Sequence, residues 1–214
     1  METAVSWQNA SRTTHGLPQP IADAILASDF GEAKLLLAVA EHKVRLEGMG
    51  GDAQCDVWAL LDTRKGTTSL SVEAKAKEPF GDNNQVLANW LHGGKSVNSK
   101  LNREKRWEDI RKNLPARELG AYDSVPYQIL QRCAAAVIEA RRFRLAQAIF
   151  LVQSFNAIES SFEHYSMFAS VLGLPATRGR LEFTNVAEIR LAIGWVDCCF
   201  ATDSQLAAAF EGER

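Results

Sequence analysis

Apolar and polar positions pattern most tellingly over residues 54–81, QCDVWALLDTRKGTTSLSVEAKAKEPFG. Two apolar-rich runs, 56–62 and 68–76, flank the turn residues Thr63, Arg64, Lys65 and Gly66, which predicts a β-hairpin. Upstream, Ile21, Ala24, Ile25 and Ala27 form one patch at helical spacing and Leu35, Leu36, Leu37 and Val39 another, interrupted by Asp29, Phe30 and Gly31. The second patch predicts a helix that ends at Glu41, followed by a first strand over 42–46. Downstream, the spacing predicts a short helix over 86–91, a basic helix within 95–117, and the strongest helix over 127–148, whose core stripe is Leu130, Ala134, Val137, Ile138 and Ala140. AIFLVQSF at 148–155 reads as a strand buried on both faces. A helix over 160–172 opens on Ser-Ser-Phe-Glu, a capping-box pattern, and closes at Gly173 and Pro175. LAIGWVDCCF at 191–200 gives a last strand, and a short helix is expected through Leu206 and Phe210. This order predicts a mixed α/β fold with a central sheet covered by helices.

Composition narrows the setting. The 214 residues, 46% hydrophobic, suit one domain over 21–214, with the polar, proline-containing stretch 1–20 as a flexible or loosely docked arm. A formal charge of −2 and a pI near 6.1 argue against coating nucleic acid by overall charge, so any basic face must be local. Cys55, Cys133, Cys198 and Cys199 have neither zinc-site nor disulfide-framework spacing and read as buried free thiols in a reducing compartment. With no signal-peptide pattern and no bilayer-length apolar run, a soluble, cytoplasmic protein is expected, with no membrane partner.

The hairpin carries the candidate chemistry. Side chains alternate along a strand, so Asp56, Trp58 and Leu60 share one face and Glu73 and Lys75 share one face of the partner. A turn centred between Lys65 and Gly66 would set Asp56 opposite Lys75 and Trp58 opposite Glu73, bringing two carboxylates and an ammonium together. Two carboxylates can hold Mg²⁺ (or Mn²⁺), a hard cation that prefers oxygen ligands and keeps waters for its substrate. A neighbouring lysine can steady a hydroxide or the charge growing on a phosphate. The bland alternative is an exposed salt-bridged sheet face, in which Glu73 and Lys75 are a structural ion pair.

Asp56 followed by Glu73-Ala74-Lys75 resembles the motif of the PD-(D/E)XK nuclease superfamily, the restriction-endonuclease-like fold. The proline of that motif is absent, since Cys55 precedes Asp56. Within the superfamily, EHKVRL, QCDVWAL, VEAKAKEPFG and CAAAVIEARRF are similar to a bacterial family of about this length that has no assigned activity. The resemblance covers roughly 35–196. It implies a restriction-endonuclease-like central mixed sheet flanked by helices and a metal-dependent nuclease in which Asp56, Glu73 and the Ala74 carbonyl hold the metal and Lys75 orients or activates water. Glu41, at a helix end before the hairpin, would complete the outer coordination.

Other fragments carry less. The glycines of EGMGGDA at 47–53 lack the spacing of a dinucleotide loop and receive no phosphate role. Gly94-Lys95-Ser96 ends like a Walker A loop, but the required earlier glycine position is Asn89, so Gly93-Gly94 reads as a hinge or a helix-entry turn. The basic helix offers Lys100, Arg103 and Arg106 as nucleic-acid contacts. Gln131 is a weak candidate for a polar group reaching the site from a later helix. The second functional reading is a non-catalytic nuclease-fold module that binds nucleic acid or a protein partner. Oligomeric state, and DNA versus RNA, are not encoded in any of these patterns.

Overall fold

A computed structural model describes residues 2–48, 50–80 and 85–200. Six strands form one mixed sheet in the order β1-β2-β3-β4-β6-β5. β1 (Ala33–Val44), β2 (Ala53–Thr63) and β3 (Gly66–Lys75) are an antiparallel meander. β3 pairs in parallel with β4 (Gln147–Ser154), and β4 in parallel with β6 (Ile189–Asp197), whose other edge takes β5 (Arg180–Val186) antiparallel. The parallel pairs require crossovers. Between β3 and β4 these are α3 (Leu87–His92), α4 (Val97–Lys112) and α5 (Tyr127–Arg142), and between β4 and the β5–β6 hairpin α6 (Glu159–Val171).

Helices cover both faces, and the chain is a mixed α/β protein as expected. One core lies between the sheet and α5 and α6, built on Phe150, Val152, Ile193 and Trp195. The other lies between the sheet and α2 (Gln19–Leu26), built on Val57, Val72, Leu151 and Ile25. β4 is buried along almost its whole length, which explains its continuous apolar run. α5 presents Leu130, Ala134 and Val137, and the small Ala134-Ala135-Ala136 step lets it sit close to β3 and β4.

Several expectations are corrected. Residues Leu35–Val39 lie in β1, not in a helix, so Glu41 sits within a strand. β1 is an edge strand, and its Leu36 and Leu37 stand about half exposed, an apolar run that mimics helical spacing. The strand β5, RLEFTNV, was not anticipated. α6 starts at an Ile158 cap without side-chain capping, while the capping box belongs to α4, where Ser96 and Ser99 bond reciprocally. Gly93-Gly94 is the turn that enters that helix, as read. The expected helix over 201–210 lies outside the described residues.

Gln153 is fully buried, and it is bonded to side chains rather than to backbone. Its Oε1 accepts from Trp7 Nε1 at 3.2 Å and its Nε2 donates to Ser6 Oγ at 3.1 Å. Both partners belong to α1 (Glu2–Gln8), so within the stretch read as an arm, α1 is docked to the middle of the sheet, and Val5 and Leu17 are buried. Of the four thiols, Cys55 and Cys133 are buried as expected, whereas Cys198 is half-buried and Cys199 exposed beyond the end of β6.

Gly194 shows how tightly β6 is packed, because a Cβ there would run into the Leu181 side chain. Gly194→Ala is expected to lower stability by about 1–3 kcal/mol through overpacking, measured by urea denaturation.

Candidate active site

The hairpin turn is Arg64-Lys65. Thr63 pairs with Gly66, which takes φ +97°, a conformation open to glycine. The turn centre therefore falls one residue earlier than expected. Trp58 lies opposite Ser71, and Asp56, one step past the last ladder pair Val57–Val72, comes level with Glu73 rather than Lys75. A change of two positions keeps the same face, so the cluster of Asp56, Glu73 and Lys75 survives the correction.

The strands are bent at this point. Ala53 and Cys55 face α5, whereas Val57, Ala59 and Leu61 face α2, so β2 switches faces at Asp56. The facing residue in β1 is Glu41, with φ +53°, and the Glu41/Asp56 position is skipped in the ladder while its neighbours Ala40–Val57 and His42–Cys55 pair. The local switch frees the Asp56 side chain to take over ladder duty. Its Oδ2 accepts the Ala74 N–H at 2.6 Å.

On its α5 side, β3 presents Ser69, Ser71, Glu73 and Lys75, a buried polar row on a central strand. Such a row is costly unless each member is satisfied. Ser69 Oγ takes the Trp58 Nε1–H at 3.0 Å, and Ser71 Oγ lies 3.0 Å from Cys55 Sγ and donates to the Arg132 carbonyl at 3.3 Å. Glu73, 2% exposed, is held at both oxygens: Lys75 Nζ at 2.7 Å from Oε1 and Arg132 Nε at 2.7 Å from Oε2. Lys75 also lies over the Phe80 ring, 5.1 Å from its centroid.

Asp56 is the exception in this balanced set. Burial first, and then the neighbouring Glu73 charge, push its carboxyl up to about 6, against the opposing pull of the Ala74 N–H, Lys75 and Arg132. Burial also pushes the Cys55 thiol up to about 11, so it stays neutral beside the carboxylates. Asp56, Glu73, Lys75 and Arg132 together carry two charges of each sign.

Arg132 was missed from sequence, where the neighbouring Gln131 was the candidate; the register of α5 against β3 decides between them. Glu41 is exposed and accepts from Gln54 Nε2, and it does not join Asp56 and Glu73 in a ligand cluster. Indeed, no group of three or more His, Cys, Asp or Glu positioned for a metal occurs among the described residues. Two carboxylates nevertheless fit Mg²⁺, which is commonly held by one or two carboxylates plus waters and substrate phosphate. Asp56, a carboxylate short of positive charge, would be the main ligand, joined by Glu73 and the Ala74 carbonyl.

Of the basic-helix candidates, Lys100 is exposed, Arg103 half-buried and Arg106 buried, so they do not form one solvated face. No helix among the described residues is long and apolar enough to cross a membrane.

Fold and site together define a mixed α/β protein with a buried acid–base cluster on the central hairpin. The chain belongs to the family described as a domain of unknown function, DUF6946, which matches residues 1–198. No curated protein and no solved structure matches it.

Two substitutions should act in opposite directions. Because the folded pKa of Asp56 is raised, its contribution to stability is fully present below about pH 4 and lost as pH rises through about 6. Asp56→Asn should therefore raise stability by about 1–2 kcal/mol above pH 7, with the gain shrinking toward pH 4, as read by thermal melts across pH. Glu73→Gln leaves Lys75 and Arg132 with Asp56 as their one remaining anion and should cost about 3 kcal/mol.

Proposed function

We propose that this protein is a metal-dependent nuclease of the PD-(D/E)XK type, hydrolysing phosphodiester bonds of nucleic acid in the cytoplasm. The observation that carries the reading is the half-buried Asp56 carboxylate, raised to about 6 beside Glu73 and within the same cluster as Lys75 and Arg132. A perturbed carboxylate beside a second carboxylate and two cations at a strand end suits metal-assisted phosphoryl chemistry.

A bound Mg²⁺ or Mn²⁺ would supply Lewis acidity and an acidified water. The chain's own residues do the remainder. Asp56, ionised at neutral pH and fixed by the Ala74 N–H, sets the position of the cation-binding edge. Lys75 and Arg132, which neutralise Glu73 at 2.7 Å each, are the cations that would face the oxygens of the phosphate. Water attacks phosphorus and gives up a proton to solvent as the new P–O bond forms, the bond to the leaving sugar oxygen breaks, and that oxygen takes a proton from solvent. Lys75 orients the attacking water and stabilises the charge that grows on the phosphate. Glu41 contributes from the rim, across from Asp56, only through water.

A second reading is favoured by one observation: both Glu73 oxygens are already filled at 2.7 Å by buried partners, a self-sufficient ion network. On that reading the hairpin is structural and the protein is a non-catalytic module that binds nucleic acid or a protein partner.

Calorimetric titration with Mn²⁺ separates the two. The nuclease reading expects one site in the wild type, absent in folded Asp56→Asn, with affinity falling about tenfold per pH unit below about 6 because the ligand must be deprotonated. It also expects Mg²⁺-dependent cleavage of single- or double-stranded DNA or RNA, reduced about 100-fold or more in Lys75→Met. Nucleic-acid binding without metal uptake or cleavage would favour the module.

A further inference from the structure

A second polar site lies between α4, the start of α5 and the turn leading into β2. It is a cavity of about 460 Å³ whose walls include Gly51, Trp90, Asn102, Arg103, Arg106 and Tyr127, and no acidic residue among the described residues lines it. Arg106 is 6% exposed. Its Nε donates to Tyr127 Oη at 2.6 Å and its Nη2 to the Gly51 carbonyl, while Nη1 has no partner among the described residues. Both partners are neutral, since burial raises the Tyr127 phenol above its ordinary value. Neither Arg103 nor Arg106 forms an ion pair among the described residues.

A buried guanidinium is normally matched by an anion, because burying it alone is costly. Here a second guanidinium deepens the imbalance. Arg103 donates to the Trp90 carbonyl and lies 5.2 Å from the Trp90 ring centroid. Trp90 in turn stacks on Tyr127 at 3.8 Å, so the aromatic surface is already used by protein contacts and offers little to a nucleobase. The cavity reads charge, with Asn102 as a neutral hydrogen-bonding group on its wall.

We infer that this pocket binds a phosphate group, the anion whose several oxygens match two converging guanidiniums. Its position ties it to the candidate active site. Tyr127 and Arg132 are five residues apart on α5, about 7.5 Å along the axis, and the Arg132 charge is felt at the Tyr127 phenol. The pocket would therefore take a neighbouring phosphate of the strand being cleaved. The strand assignment rests on the nuclease reading; phosphate binding itself does not.

The test uses the full chain in EDTA, so metal plays no part. Binding of inorganic phosphate, of dT6 and of 5′-phosphorylated dT6 is measured by calorimetry for the wild type, Arg103→Met and Asn102→Asp. Arg103→Met is expected to weaken dT6 about tenfold and to make the salt dependence shallower by about 0.7 in log–log slope, with Mn²⁺ uptake, titrated separately without EDTA, unchanged. Asn102→Asp, which supplies the missing anion, should raise the melting temperature and abolish binding. Equal affinity for the two hexamers identifies the source as an internal phosphodiester; a preference for the 5′-phosphorylated one identifies a terminal phosphate. Wild type and Arg103→Met binding dT6 equally, or none of the probes binding, overturns the proposal. Asp56→Asn separates the two claims, since it removes metal uptake while leaving this binding intact.

Discussion

Glu73 joins three parts of the molecule through one carboxylate. It belongs to the central strand β3, it is neutralised along that strand by Lys75, and it is neutralised from α5 by Arg132. All three groups are buried or nearly so, and removing any one leaves charge without compensation in a place where water cannot repair it. The spacing of α5 from the sheet, the polar row on β3 and the position of Asp56 all follow from keeping this network intact. Asp56 is then left beside a negative neighbour, with its own compensation limited to one backbone N–H and two shared cations.

A stable fold would gain from replacing such a network with apolar side chains of equal volume. β3 instead carries four polar residues on its core-facing side, with Ser69 and Ser71 matched from β2, Glu73 from α5 and Lys75 by Glu73 itself, a polarity that the proposed chemistry would use. The same tension appears at Arg106, where a buried cation faces neutral acceptors. Two places in one molecule thus hold charge away from water, a balanced cluster around Glu73 and a cation at Arg106, contacted by Arg132 and Tyr127 about a turn and a half apart on α5.

Much of this was legible from local pattern. The hairpin, the shared face of Glu73 and Lys75, the doubly buried β4 and the stripe of α5 all follow from periodicities of two and 3.6. What was not legible depended on distance along the chain or on edge effects. Leu35–Val39 reads as helical because an edge strand leaves Leu36 and Leu37 partly exposed and so breaks the alternation. The turn was misplaced by one residue because Gly66 is needed just after the turn rather than within it. Arg132 and its neighbour Gln131 cannot be told apart until α5 is docked on β3. The glycines at 48, 50 and 51 match no phosphate loop, and the role inferred for that turn comes only from the arginine that folds under it.

The state of Asp56 is the most direct test of the account. Carboxyl-selective ¹³C NMR, assigned with Asp56→Asn, would follow its titration in the apo protein and at saturating Mg²⁺. The account requires a midpoint near pH 6 without metal and a shift to below the ordinary aspartate range with it. A midpoint near 4 that Mg²⁺ leaves unmoved would contradict it and leave the hairpin as a structural ion network.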